Sequence, residues 1–159
     1  TGSVLMLGSG IFTISNETLL YDIDYADINI TASQLSARDI IIVNVFVENN
    51  GTAELRIRVN TKDVTTPDQA LFTTMQLTEG IYGAMEAKVV QNPNINTQFI
   101  SYAIGATSTP STPQEIKITS TGDVDWMTTA FTFRVDGSYA TAGTNSSIVY
   151  YNAYAIKST

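Results

Sequence analysis

Residues 40–48 read IIIVNVFVE, an almost unbroken apolar run dominated by β-branched side chains. Such side chains are stiff at χ1 and fit a pleated surface better than a helix. Asn49-Asn50-Gly51 follows, a hairpin turn signal, and the return segment 53–60 reads AELRIRVN. There Leu55, Ile57 and Val59 fall on one face and Glu54, Arg56 and Arg58 on the other. That alternation predicts one face in a core and one in water, whereas 40–48, apolar on both faces, predicts a central strand buried on both sides. A chain built on this hairpin needs a second layer to cover it, which sets the class as all-β.

The rest of the chain extends the pattern. Residues 11–14, 19–32, 98–105, 115–119, 126–135 and 146–157 read as strands, and 81–90 as a mixed segment. The last strand, SSIVYYNAYAIK, sets Tyr150 and Tyr154 on one face and Tyr151 on the other. Asp136-Gly137 reads as a hairpin-type turn, and 91–97 and 106–113 as loops. One short helix is predicted after Thr66-Pro67-Asp68-Gln69, a cap followed by Leu71, Phe72 and Met75 at helical spacing and Gly80 as a stop. Regularly spaced strands with turns between them predict a β-sandwich of jelly-roll type.

The first ten residues, TGSVLMLGSG, stand apart. An apolar tetrad, Val4, Leu5, Met6 and Leu7, precedes Gly8-Ser9-Gly10, which reads as a hinge. The expected organisation is a donor strand with its hinge over 1–10 and a sandwich domain over 11–159. The tetrad needs a burial partner: its own domain, as a first strand, or the next subunit by β-augmentation. Ten extended residues reach about 30 Å. Exchange of this kind is heterologous and propagates into a filament.

Composition excludes several functions. The 159 residues contain no cysteine and no histidine, which removes disulfides, thiolate chemistry and the commonest general base and metal ligand. Eight basic against fifteen acidic residues give a net charge of −7, which argues against nucleic acid as a partner. Charged residues make up only 14% of the chain. Thr, Ser and Asn supply the surface polarity, and such a surface tolerates self-association. Asp22, Asp24 and Asp27, and the pair Asp123 and Asp125, lack a calcium-loop pattern and read as solvated carboxylates. Lys62, Lys88, Lys117 and Lys157 could in principle form isopeptide bonds, but no spacing selects a pair. No catalytic, cofactor or metal site is expected, and the chain reads as no enzyme. No apolar run approaches the roughly 20 residues of a membrane span. No basic leader precedes Val4–Leu7, which reads as an exported chain whose signal is already removed.

Four sequons, at Asn16, Asn29, Asn50 and Asn145, are candidate N-glycan acceptors. Asn50 at a hairpin tip and Asn145 in a Gly/Ser/Thr loop are expected to be exposed, as an acceptor must be.

SGIFTISN at Ser9–Asn16, NIT at Asn29–Thr31 and VFVENNGTAELRIRV at Val45–Val59 resemble the camelysin/TasA family of secreted β-sandwich proteins, over roughly the first 65 residues. Members build biofilm-matrix fibres, and archaeal bundling pili are similar. The resemblance implies an extracellular, cell-surface jelly-roll subunit, a homopolymer joined by N-terminal donor strands and bundled side by side. Donor residues would be Val4, Leu5, Met6 and Leu7, with 40–48 and 146–157 as acceptor walls. Some relatives carry a metalloprotease label, but a zinc site cannot be carried over to a chain without histidine. The alternative is a carbohydrate-binding or surface-layer β-sandwich that stacks sugars on aromatics such as Trp126 or Tyr150. A viral coat is a third reading, weakened by the absence of a basic arm.

Overall fold

Alternating and β-branched segments assemble into two antiparallel sheets in the computed structural model, which describes residues 3–15, 24–31, 34–36, 38–61, 71–77, 82–91, 98–107, 114–122, 130–141 and 143–158. Over 71–77, 98–107 and 114–122 the description is of the backbone. In chain order the strands are β1 (Val4–Ile14), β2 (Asp24–Ile30), β3 (Ile40–Asn49), β4 (Leu55–Thr61), β5 (Leu71–Leu77), β6 (Tyr82–Gln91), β7 (Gln98–Thr107), β8 (Gln114–Gly122), β9 (Phe131–Tyr139) and β10 (Ser147–Ile156). One sheet runs β1-β10-β3-β6-β7-β8 and the other β2-β9-β4-β5. Strands β1 and β2 are therefore edges of their respective sheets.

The two sheets bury one core between them. Ile41, Val43, Val45 and Val47 of β3, Met85, Ala87 and Val89 of β6, and Val149, Ala153 and Ala155 of β10 meet Ile28, Ile30, Leu55, Ile57, Val59, Phe133 and Val135 of the smaller sheet. Leu35, in the turn before β3, closes one end. The all-β sandwich read from the sequence is thus the observed architecture.

Four sequence expectations are corrected. Asn49-Asn50-Gly51 closes no hairpin: β3 pairs with β10 and β6 in the larger sheet and β4 with β9 and β5 in the smaller one, so this turn carries the chain from one sheet to the other. Residues 71–77 form strand β5, not a helix; the cap at Thr66–Gln69 lies outside the described residues, and among those described there is no helix. Leu71, Thr73, Met75 and Leu77 fit a period of two as well as their neighbours fit a helix, and β4 offers a partner, with Leu55 opposite Leu77 and Ile57 opposite Met75. A short helix standing alone gains less than a strand added to a sheet. Asp136-Gly137 is no turn, because both residues lie inside β9, opposite Arg58 and Ile57. Finally, β3 is central in its sheet but faces the core on one side only. Phe46, on its other side, is 42% exposed. Among the described residues no helix is long and apolar enough to cross a membrane.

Candidate functional site

The four apolar residues singled out in the sequence lie in β1, and β1 is paired with β10. Val4 faces Ile156, Leu5 faces Ala155 and Met6 faces Tyr154; Leu7 forms a bulge; pairing resumes with Gly8 opposite Ala153 and runs to Ile14 opposite Ser147. The backbone of Lys157 donates to Ser3 O at 2.8 Å and extends the ladder by one bond. Gly8, Ser9 and Gly10, the expected hinge, sit inside this strand, opposite Ala153, Asn152 and Tyr151. Of the expected acceptor walls, β10 is the strand that β1 pairs with, and β3 lies one strand further in.

Period-two geometry divides β1 into two faces, an apolar one turned inward and an outward one on which exposed apolar residues alternate with Ser9 and Thr13. Leu5, Leu7 and Phe12 pack against the core and Ile14 is part of it. On the other face Val4, Met6 and Ile11 are 63%, 60% and 65% exposed. An open edge strand with three exposed apolar side chains is what soluble monomers ordinarily avoid, because its edge N–H and C=O groups template further pairing.

The inward face of β1 meets β10 and β9 through complementary sizes. The Tyr151 ring lies across Gly10: a Cβ there would sit 2.7 Å from its Oη and 3.1 Å from Cε1 and Cζ. Phe12 closes against the same ring at 6.1 Å between centroids. Four residues beyond Gly10, Ile14 reaches over β9, where a Cβ on Gly137 would overlap Ile14 Cδ1 and come within 2.8 Å of Ile57 Cδ1. These pairs are not readable from sequence, because the matching of small to large residues appears only once the register is known.

The end of β10 is held in place. Asp39 is fully buried; its carboxylate accepts from Ser36 N at 2.7 Å and Ser158 N at 2.8 Å and pairs with the Lys157 ammonium. Lys157 Nζ also donates to Gln34 O at 3.1 Å. Burial by itself pushes the Asp39 carboxyl up, but these donors outweigh it and hold it below its ordinary value.

The outer face of the larger sheet carries a line of apolar side chains. Ile11, Tyr150 and Phe46 stand opposite one another on β1, β10 and β3, and the two rings are 5.9 Å apart and tilted by 50°. Beside them Asn44 Nδ2 donates to Asn152 Oδ1 at 2.9 Å. Tyr82 of β6 is exposed nearby, opposite Glu48. Trp126, the other aromatic considered for sugar stacking, lies outside the described residues.

The smaller sheet's outer face is polar. Arg134 grips Asp27 through Nε at 2.8 Å and Nη2 at 3.3 Å, and its guanidinium lies 3.6 Å from the Tyr25 ring centroid. Burial lowers the Arg134 pKa, but the adjacent Asp27 carboxylate reverses the effect and keeps the group charged.

The sequons separate by environment. Asn50 is exposed at the turn after β3. Asn29 is exposed on β2, its Oδ1 accepting from Thr132 Oγ1 at 2.9 Å. Asn145, expected in the open, is buried: Oδ1 accepts from Thr52 N at 3.1 Å and Nδ2 donates to Thr141 O at 3.1 Å. A side chain that cross-links two loops serves the fold before it serves solvent. Asn16 lies outside the described residues, as do Asp22, Asp123 and Asp125; among those described, no three acidic residues gather as a metal site.

No family model matches the chain, and no curated protein matches it. Among solved structures, the CBM2 module of the evolved Dit protein of Lactobacillus casei BL23 phage J-1 aligns with 7% identity and a TM-score of 0.43, over 100% of this chain and 99% of that one. The PL-14 alginate lyase of Aplysia kurodai aligns with 8% identity and a TM-score of 0.41, over 92% and 98% of the two chains. A Bauhinia forficata lectin, solved with GalNAc, aligns with 9% identity and a TM-score of 0.35, over 96% and 100%. Likenesses this distant identify neither a ligand nor an activity for this chain.

Proposed function

We propose that this chain is the repeating subunit of an extracellular filament in which β1 of one copy pairs with β10 of the next. The observation that carries this reading is the character of β1: an edge strand, paired among the described strands with β10 alone, whose inward face is apolar and whose outward face exposes Val4, Met6 and Ile11. Its inward residues Leu5, Leu7, Phe12 and Ile14 supply part of the core, roughly 1.5–3 kcal/mol for each side chain fully buried. A subunit whose β1 has moved out therefore presents an unfilled groove beside β10, and the neighbour's β1 restores every contact that was lost. Intrachain and interchain pairing make the same contacts, so exchange costs little and concentration favours it. Nine residues, 15–23, separate β1 from β2 along the chain, a length of about 30 Å at full extension. The exchange is head-to-tail, so it grows without closing. This reading agrees with the camelysin/TasA-like pattern of residues 9–59 and treats the jelly-roll sandwich as a scaffold for polymerisation, not for catalysis.

The experiment is negative-stain electron microscopy of the full chain beside a version lacking residues 1–9. Filaments from the first and dispersed subunits from the second support exchange. If both remain monomeric and equally folded at high concentration, the filament reading fails.

A second reading rests on the exposed Tyr150–Phe46 pair and the adjoining Asn44–Asn152 amides, which together offer stacking and hydrogen-bonding groups to a polysaccharide. The 50° tilt between the rings counts against it, because they make no single flat platform for a sugar chain. Binding of soluble polysaccharides by the full chain, lost in Tyr150→Ala and Phe46→Ala while filaments persist, would favour this second reading.

A further inference from the structure

We propose that two reciprocal notches, Gly10 under Tyr151 and Gly137 under Ile14, fix the register in which β1 enters a neighbouring subunit; the inference rests on the exchange reading above. A polymer joined by strand exchange needs a single register, because a slip of two residues keeps inward residues inward and nearly all ladder bonds intact. Hydrophobicity alone does not forbid such a slip. Shape does.

In the observed register the bulky Tyr151 on the acceptor strand meets a glycine of the donor strand, and the bulky Ile14 of the donor meets a glycine of the acceptor's other sheet. Each glycine is occupied by the neighbour's side chain where its own would be. A slip that brings Phe12 opposite Tyr151 replaces the glycine under the ring by a residue whose Cβ would sit where the ring now lies, so the ring must leave its place. A slip in the opposite direction brings Gly8 opposite Tyr151, which the ring tolerates, but it withdraws Ile14 from Gly137 and opens a void in the core. The first notch blocks one direction and the second penalises the other. The bulge at Leu7 lets the residues before it keep their pairing with Met6 opposite Tyr154.

The chain has no cysteine, so introduced thiols report register without background. Two single-cysteine chains are mixed, assembled and oxidised: Ser9→Cys in one, and in the other Asn152→Cys, Tyr150→Cys or Tyr154→Cys. Ser9 faces Asn152 in the observed register, faces Tyr150 when Gly8 lies under Tyr151, and faces Tyr154 when Phe12 does. The expected result is an interchain disulfide to position 152 at least tenfold more abundant than to 150 or 154. Gly10→Val is expected to move the cross-link from 152 to 150, and adding Tyr151→Ala to return it to 152. Ile14→Ala is expected to raise the 150 product without touching the ring, which keeps the test open should Gly10→Val fold poorly. Interchain cross-links spread evenly over 150, 152 and 154, or unmoved by these substitutions, would overturn the register inference while leaving exchange standing. If Ser9→Cys links to 152 only when both lie in one chain, and never between chains, the exchange reading falls and the inference with it.

Discussion

Arg58 Nε donates to Asp136 Oδ1 at 2.6 Å from directly opposite positions on β4 and β9, with the two side chains 5% and 1% exposed. The pair stands on the outer side of the smaller sheet, yet both charges are out of water, and Arg58 Nη2 is buried with no hydrogen-bond partner among the described residues. Breaking a buried pair leaves one charge uncompensated, whereas replacing both partners with apolar groups is often neutral or stabilising. Asp136→Ala is therefore expected to destabilise the subunit by about 3–5 kcal/mol. The double variant Arg58→Met, Asp136→Leu should recover most of that loss. Urea denaturation of the three proteins measures it, and a single-variant cost below about 1 kcal/mol would show that the pair is solvated in solution.

That pair also explains where sequence reading stopped. β3, β4 and β10 were legible as strands because local pattern and tertiary environment agree, but their pairing was not: Asn49-Asn50-Gly51 has the composition of a hairpin turn, and yet β3 pairs with β10 and β6 and β4 with β9 and β5. Asp136-Gly137 has the composition of a turn, but Asp136 is required by Arg58 and Gly137 by Ile14, partners 78 and 123 residues away in sequence (136 − 58 and 137 − 14). Only the folded chain brings these partners together. Likewise Gly8 and Gly10 read as a hinge, yet one admits the Tyr151 ring and the other lies 3.7 Å, through its missing Cβ, from Ile28 Cγ2. The Phe46 side of β3 misled for the opposite reason: an apolar residue signals burial, and here it signals a surface that remains uncovered in the single chain.

Acid should loosen the end of β10 in a defined window. Asp39 has its pKa depressed below the ordinary 3.8, because Lys157 and the Ser36 and Ser158 amides outweigh the burial that would raise it. A carboxyl with a depressed folded-state pKa contributes stability that is fully present above its unfolded value and is lost as pH falls through the folded one. From this group no change is expected between pH 7 and 5, with loss setting in only below about 3.8. Asp39→Asn should flatten that acid limb and cost about 1–3 kcal/mol at neutral pH, where Lys157 would lose its counter-ion. Unfolding midpoints from pH 2 to 7 for both proteins test this; parallel curves would remove Asp39 from the account. A carboxylate held ionised is also unsuited to amide condensation, so intact-mass measurement should show no water lost between Lys157 and Asp39.

Among the sequons, Asn50 and Asn145 should part company in a host that glycosylates. The acceptor atom is Nδ2, and in Asn145 it donates to Thr141 O while Oδ1 holds Thr52 N. Occupying it means unmaking the contact between the loops after β3 and β9. Glycopeptide mapping of the folded chain is expected to find sugar at Asn50 and none at Asn145. Asn145→Ala should cost about 1–3 kcal/mol by leaving Thr52 N–H unsatisfied in a partly buried site. Sugar found at Asn145 on a chain of unchanged stability would contradict both statements.

Lateral association should depend on the apolar row that crosses the outer face of the larger sheet. Ile11, Tyr150 and Phe46 are aligned on β1, β10 and β3 and all three are exposed. They touch no part of the inward face that exchange uses, so they are free to act between filaments without affecting joints within one. Apolar surface gains by leaving water, and three aligned side chains repeated along a polymer add up where one would not. Ile11→Lys with Phe46→Lys should change the stability of the subunit by no more than about 0.5 kcal/mol, as surface substitutions usually do. Single filaments should still form, but side-by-side bundles should disperse, and more completely at low ionic strength, where like charges on facing filaments are least screened. Electron microscopy and light scattering across a salt series distinguish the outcomes. Bundles that survive both lysines at low salt would place the lateral contact on the neutral Thr and Asn surface instead of on this row.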